Sequence, residues 1–172
     1  MRFVPAIGPY STSAQTARRM GIPVKEIQVD AGMSIDLAGM AAASKGAGLV
    51  YLCNPNNPTG TVHSPAAVER FVRQVLAQSP DTHILIDEAY INYVADGLME
   101  TALPLAKEFP NVFISRSFSK AHGLAGMRVG YALGQEETLD AINDAWGMGD
   151  VNMLAAVAAV TAFEDHEHIA WE

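Results

Sequence analysis

The chain reads as an α/β protein, a three-layer, mostly parallel sheet flanked by helices. Three observations predict it. Apolar runs of strand length recur at residues 49–53, 83–86, 112–115 and 129–133. The segments between them carry apolar residues at helical spacing, and the runs themselves are apolar nearly throughout, as buried parallel strands are. Strands that alternate with helices stack as a sheet between helical layers.

Taken in order, residues 3–7 form a short strand that stops at Gly8-Pro9, and residues 11–20 form a helix with Arg18 and Arg19 in its last turn before Gly21. Residues 24–29 alternate as a strand, and residues 36–44 make a short alanine-rich helix. Gly46 and Gly48 punctuate before the run 49–53, a strand expected to be buried on both faces. Ser64 is an N-cap for a helix over 65–78, with Pro65 at its first position and Val68, Phe71, Val72 and Val75 on one side. A second buried strand, 83–86, runs into Asp87. A helix is expected over 98–108, the third and fourth buried strands at 112–115 and 129–133, and closing helices at 136–146 and 152–164. Met148, Met153 and the alanines from Ala155 to Ala162 suggest a helix buried on most sides, by core packing or against a second subunit or a small domain.

The chain has 172 residues, 49% hydrophobic and 17% charged, which suits a single globular unit over 1–172. A net charge of -8 without a basic block argues against a nucleic-acid partner and against an anionic membrane surface. Cys53 is the only cysteine, so no internal disulfide forms, and its apolar run predicts a buried thiol in a reducing compartment. No stretch reaches the roughly 18 apolar residues of a membrane span, and Met1–Pro5 opens no signal peptide. The expected location is cytoplasmic.

Chemistry-bearing residues cluster in four islands: Asn54-Pro55-Asn56-Asn57-Pro58-Thr59-Gly60, Asp87-Glu88-Ala89-Tyr90, Ser117-Phe118-Ser119-Lys120, and Arg128. The first three follow strand ends, where open α/β sheets bind ligands. Loops there bring an amide, a carboxylate, a phenol, an amine and a guanidinium to one place. Alone, each island has a plainer reading as a turn, a helix cap or a surface cation. Their order and spacing make the combination specific.

These islands resemble the large domain of pyridoxal-phosphate-dependent class I/II aminotransferases of fold type I. The run Phe118-Ser119-Lys120-Ala121-His122-Gly123-Leu124-Ala125-Gly126-Met127-Arg128-Val129-Gly130-Tyr131 is similar to that of histidinol-phosphate aminotransferases. The resemblance implies pyridoxal 5'-phosphate as cofactor, joined through its aldehyde to Lys120 as a Schiff base, with Lys120 also the general acid/base. It implies Asp87 against the ring nitrogen, with Glu88 the weaker alternative, and Asn57 and Tyr90 on the ring's phenolic oxygen. Arg128, Ser117 and Ser119 are implied at the phosphate, and Tyr10 against the ring face. The activity implied is transfer of an amino group between an amino acid or amine of the histidinol-phosphate type and a 2-oxo acid. Alternatives are a decarboxylase or lyase using the same cofactor, or a catalytically inactive fragment. The partners implied are the two small-molecule substrates and, in the full-length protein, a second subunit in a homodimer.

The resemblance also implies parts that these residues do not supply: an N-terminal arm with a glycine-rich phosphate turn, and a small domain carrying the arginine for the substrate carboxylate. The chain is therefore expected to be a partial large domain. Asp165-His166-Glu167-His168 reads as a solvated helix end and not as metal ligands, since neighbouring helical residues point apart. No metal is expected. His122, beside Lys120, reads as a tuning group or as loop packing. Gly123, Gly126 and Gly130 do not join a strand directly to a helix, so they make no dinucleotide fingerprint.

Overall fold

Five strands pair into one sheet: β1 (Phe3–Pro5), β2 (Leu49–Cys53), β3 (His83–Asp87), β4 (Val112–Ser117) and β5 (Gly130–Leu133). The computed structural model describes residues 2–6, 12–95, 97–146 and 151–171. The strands lie in chain order, β1 to β4 parallel and β5 antiparallel to β4. The sheet is thus mostly parallel.

Seven helices accompany it among the described residues: α1 (Thr12–Arg19), α2 (Leu37–Ala43), α3 (Pro65–Gln78), α4 (Leu103–Glu108), α5 (Glu136–Trp146), α6 (Met153–Glu164) and α7 (His166–Trp171). Local chemistry sets their starts. The Asp36 carboxylate accepts from Gly39 N at 2.9 Å, the Ser64 hydroxyl from Ala67 N at 3.4 Å, and the Asn152 carbonyl from Ala155 N at 2.9 Å. Such caps contribute about 1 kcal/mol each.

Because side chains alternate across a strand, the register decides what each face does. Val50, Leu52, Ile84, Ile86, Val112 and Ile114 share one face, fully buried against Met40 and Ala41 of α2, Val72 and Val75 of α3, and Leu105 and Ala106 of α4. Each large side chain there stabilises the fold by roughly 1.5–3 kcal/mol. The opposite face presents Leu49, Tyr51, Cys53, Leu85, Asp87 and Ser115 in register. Ala14 and Ala17 of α1 cover its Leu49 and Tyr51 end, and the rest lines a cleft. Residues 49–53 are therefore fully buried on one face, while the other, with Leu49 and Tyr51 half-buried and Cys53 buried, runs into a polar site, which qualifies the expectation of two equally apolar faces.

Three further expectations are corrected. Residues 24–29 run beside β1 but form only isolated bridges, Phe3 with Val24 and Ala6 with Ile27. β1 is three residues long and its Pro5 has no N–H to donate, so no continuous ladder forms. Within 98–108 only Leu103–Glu108 is helical. Pro104 tolerates only a first helical turn, and the Thr101 hydroxyl and Ala102 N–H are tied instead to the Glu88 carboxylate. Lastly, α6 buries only Ala155 and Ala159, while Met153, Leu154, Val157, Val160 and Phe163 are exposed. Its alanines pack as a narrow stripe on Phe118 and Val129 and not as a core on most sides.

Candidate active site

The polar face of the sheet opens at the C-terminal ends of β1 to β4 into a cavity of about 520 Å³. That volume suits a small organic ligand. Thr12 and Ser13 of α1, Tyr51, Cys53, Asp87, Ser115, Asn57, Tyr90, Lys120 and Arg128 border it. Residues 30, 33 and 8 positions apart in sequence thus reach one cavity.

Each island is held by its own backbone. The Asn54 side chain donates to His63 O at 3.2 Å and accepts from His63 N at 2.8 Å, closing the 54–63 loop on itself. The prolyl bonds Asn54–Pro55 and Asn57–Pro58 are both cis. Asn57 projects from this loop and donates through Nδ2 to the Tyr90 hydroxyl at 3.1 Å. The Tyr90 ring in turn lies under the Lys120 amine, Nζ being 4.9 Å from the ring centroid, where the ring face attracts an ammonium.

Asp87 ends β3 with both carboxylate oxygens engaged. Oδ2 accepts from the Tyr51 hydroxyl at 2.7 Å and Oδ1 from Ala89 N at 3.1 Å. Glu88, the next residue, points to the opposite face. Its carboxylate is fully buried and accepts from Arg116 Nη2 at 2.8 Å and Nε at 3.0 Å. The alternation of β3 therefore gives Asp87 to the cavity and Glu88 to the protein interior.

The lysine loop is buttressed by the last helices. His122 Nδ1 donates to Ala162 O at 3.2 Å, His168 Nε2 to Ala121 O at 2.9 Å, and Phe118 meets Phe163 edge-on. His122 thus packs the loop, and His168 is not merely a solvated helix end. Arg128 sits at φ 55°, a left-handed conformation uncommon outside glycine, and its Nη1 donates to Ala125 O at 2.9 Å. Ser117 Oγ accepts from Ser119 N at 3.0 Å. Neither of these serines borders the cavity, where Ser115 stands instead. Tyr10 and Met148 lie outside the described residues. Among the described residues no group of three or more His, Cys, Asp or Glu side chains is placed to hold a metal, and no helix is long and apolar enough to cross a membrane.

Sequence reasoning missed Tyr51, Ser115 and the Glu88–Arg116 pair. Tyr51 was legible only as one apolar residue of a strand, though its two-residue offset from Cys53 put both on one face. Burial, then the nearby Cys53 and Asp87 groups, push the Tyr51 phenol well above its ordinary value, so it remains a donor. Burial, with the Asp87 charge, also pushes the Cys53 thiol up to about 11. That thiol is protonated and donates to Pro55 O at 3.1 Å.

The donor set fits pyridoxal phosphate: an amine for its aldehyde, a carboxylate for its ring nitrogen, an amide and phenol for its ring oxygen, and a guanidinium for its phosphate. Comparison with known proteins agrees. Histidinol-phosphate aminotransferase of Limosilactobacillus fermentum is 40% identical over 167 residues, 96% of this chain and 45% of the relative. Aromatic amino acid aminotransferase of Mycobacteroides abscessus is 44% identical over 135 residues, 78% of this chain and 38% of the relative. The chain spans less than half the length of these curated relatives. The crystal structure of histidinol-phosphate aminotransferase from Sinorhizobium meliloti in complex with pyridoxal-5'-phosphate superposes with a TM-score of 0.89 at 29% identity, covering 98% of this chain and 45% of that one. Residues 5–171 match the family described as aminotransferase class I and II. With nearly its whole length inside that match, the chain belongs to the class I and II aminotransferases, a family of pyridoxal-phosphate-dependent enzymes.

Proposed function

We propose that this chain is the cofactor-binding part of an aminotransferase that moves an amino group between an amino acid or amine of the histidinol-phosphate type and a 2-oxo acid. The observation that carries the reading is the meeting of Lys120, Asp87, the Asn57–Tyr90 pair and Arg128 at one cavity. When bound, pyridoxal phosphate supplies an electron-accepting ring that stabilises negative charge at the substrate's α carbon. Lys120 is the amine that holds the cofactor's aldehyde carbon. Its Nζ, when free, would take the proton from the substrate α carbon and later return one.

Asp87 would keep the proton on the ring nitrogen, and Asn57 and Tyr90 would donate to the phenolic oxygen. Tyr90 also orients the Lys120 amine over its ring face. Arg128 would bind the phosphate, its guanidinium leaving Ala125 O to do so, whereas Ser117 and Ser119 stand outside the cavity. The family resemblance alone would put Tyr10 against the ring face. A homodimer and a cytoplasmic location for the full-length protein belong to the same reading.

The test is an absorbance spectrum of the protein with pyridoxal phosphate, then borohydride reduction and peptide mapping. A visible band and a reduced label on Lys120, both lost in Lys120→Ala, support the reading; a label retained in Lys120→Ala or carried on another lysine refutes it. Relative kcat/KM for histidinol phosphate and for aromatic amino acids then decides between the two substrate classes named by the relatives.

A further inference from the structure

The reading above assigns Asp87 but leaves open what orients it. A carboxylate at a strand end turns freely about its terminal torsion unless both oxygens are engaged. Here both are. The backbone N–H of Ala89 donates to Oδ1 at 3.1 Å, a contact that Asp87 gains from its own turn. The second comes from another strand: the Tyr51 hydroxyl donates to Oδ2 at 2.7 Å across 36 residues of sequence.

Tyr51 is itself rigid. Its ring is tilted against Phe3 at 6.5 Å between centroids, it packs in the cluster formed with Ala14 and Ala17 of α1, and its strand is paired on both sides. A buried phenol needs a partner, and the partner it has is the carboxylate of the cavity. The two oxygens together have about four acceptor sites, of which these donors use two, so capacity remains for a ligand N–H.

We propose that Tyr51 is a positioning residue, whose phenol O–H holds the Asp87 carboxylate aimed for the protonated ring nitrogen of pyridoxal phosphate. The inference rests on the cofactor site described above. A carboxylate already fixed by two donors loses no rotational freedom on binding.

The test compares dissociation constants of two ligands by equilibrium dialysis: pyridoxal phosphate, and its deaza analogue in which carbon replaces the ring nitrogen. Tyr51→Phe keeps the ring and its packing, and Tyr51→Met is a second variant of similar apolar bulk; circular dichroism and thermal melting check the fold of each. Losing one such bond weakens pyridoxal phosphate about five- to tenfold. The deaza analogue, having no ring N–H, changes less than about twofold, and the pyridoxal phosphate constant in an Asp87→Ala background is insensitive to Tyr51→Phe. Equal weakening of both ligands would show plain packing and overturn the proposal. So would an unchanged or tightened pyridoxal phosphate constant, or a full effect of Tyr51→Phe without Asp87. Protein with native residues that binds neither ligand overturns the cofactor site itself, a failure distinct from all of these.

Discussion

Replacing Glu88 with alanine is expected to cost about 3–5 kcal/mol of folding stability without removing any group from the cavity. The carboxylate is fully buried and collects donors from three places. Arg116 donates from Nη2 at 2.8 Å and Nε at 3.0 Å, Thr101 from Oγ1 at 3.0 Å, and Ala102 from its backbone N at 2.6 Å. Glu88→Ala strands a buried Ala102 N–H, worth about 1–3 kcal/mol by itself, and leaves the Arg116 guanidinium without its counter-charge. Arg116 is 24% exposed and also receives some water, which places the total nearer the lower end. Glu88→Gln keeps the shape but turns one acceptor into a donor facing donors, so it recovers only part of the loss. The assay is urea unfolding followed by circular dichroism. With a slope of about 1–3 kcal/mol/M, a loss of about 3 kcal/mol should lower the midpoint by roughly 1–3 M for Glu88→Ala. Exchange of the Ala102 amide should quicken in the same variant. A midpoint shift under about 0.5 M, with Ala102 still protected, would refute the reasoning that this pair anchors the loop before α4.

Asn57→Ala removes the amide that donates to the Tyr90 hydroxyl and that is assigned to the cofactor's ring oxygen; pyridoxal phosphate should bind about tenfold more weakly by dialysis, with the melting temperature unchanged within a few degrees. At Gly130 a Cβ would stand 2.7 Å from the backbone oxygen of Arg116, so Gly130→Ala must push β5 from β4 at about 1–3 kcal/mol, read as a lowered thermal midpoint. Burial lowers the proton affinity of His63 below its ordinary 6.5, offset in part by the Ile35 backbone and Asp30. Protonation therefore favours the unfolded chain, and this contribution is complete above about pH 6.5 and is lost as pH falls through the lowered folded value. His63→Gln should flatten the fall in urea midpoint between pH 7 and pH 5.

Much of this protein is readable along the chain because the relevant forces are local. Ser64-Pro65 and the spacing of Val68, Phe71, Val72 and Val75 name α3 before any neighbour is known, and the apolar runs at 49–53 and 83–86 name strands. The four islands, by residue type and order, likewise point to one cofactor chemistry. What failed were readings that depend on a partner. Residues 24–29 alternate well enough for a strand, yet β1 is too short to pair with them continuously. Residues 98–102 have helical composition, yet the buried Glu88 takes their donors.

Sequence alone therefore determined the α/β class and the positions of most strands and helices, since helix caps and hydrophobic period act over a few residues. Only the tertiary structure decided the rest. Pairing Cys53 with Asp87 and Asp87 with Ser115 places Asp87 on the cavity face and Glu88 on the other, beside Arg116. It also brings the Tyr51 phenol to the Asp87 carboxylate, a contact no spacing announces because register is set by the packing of whole strands.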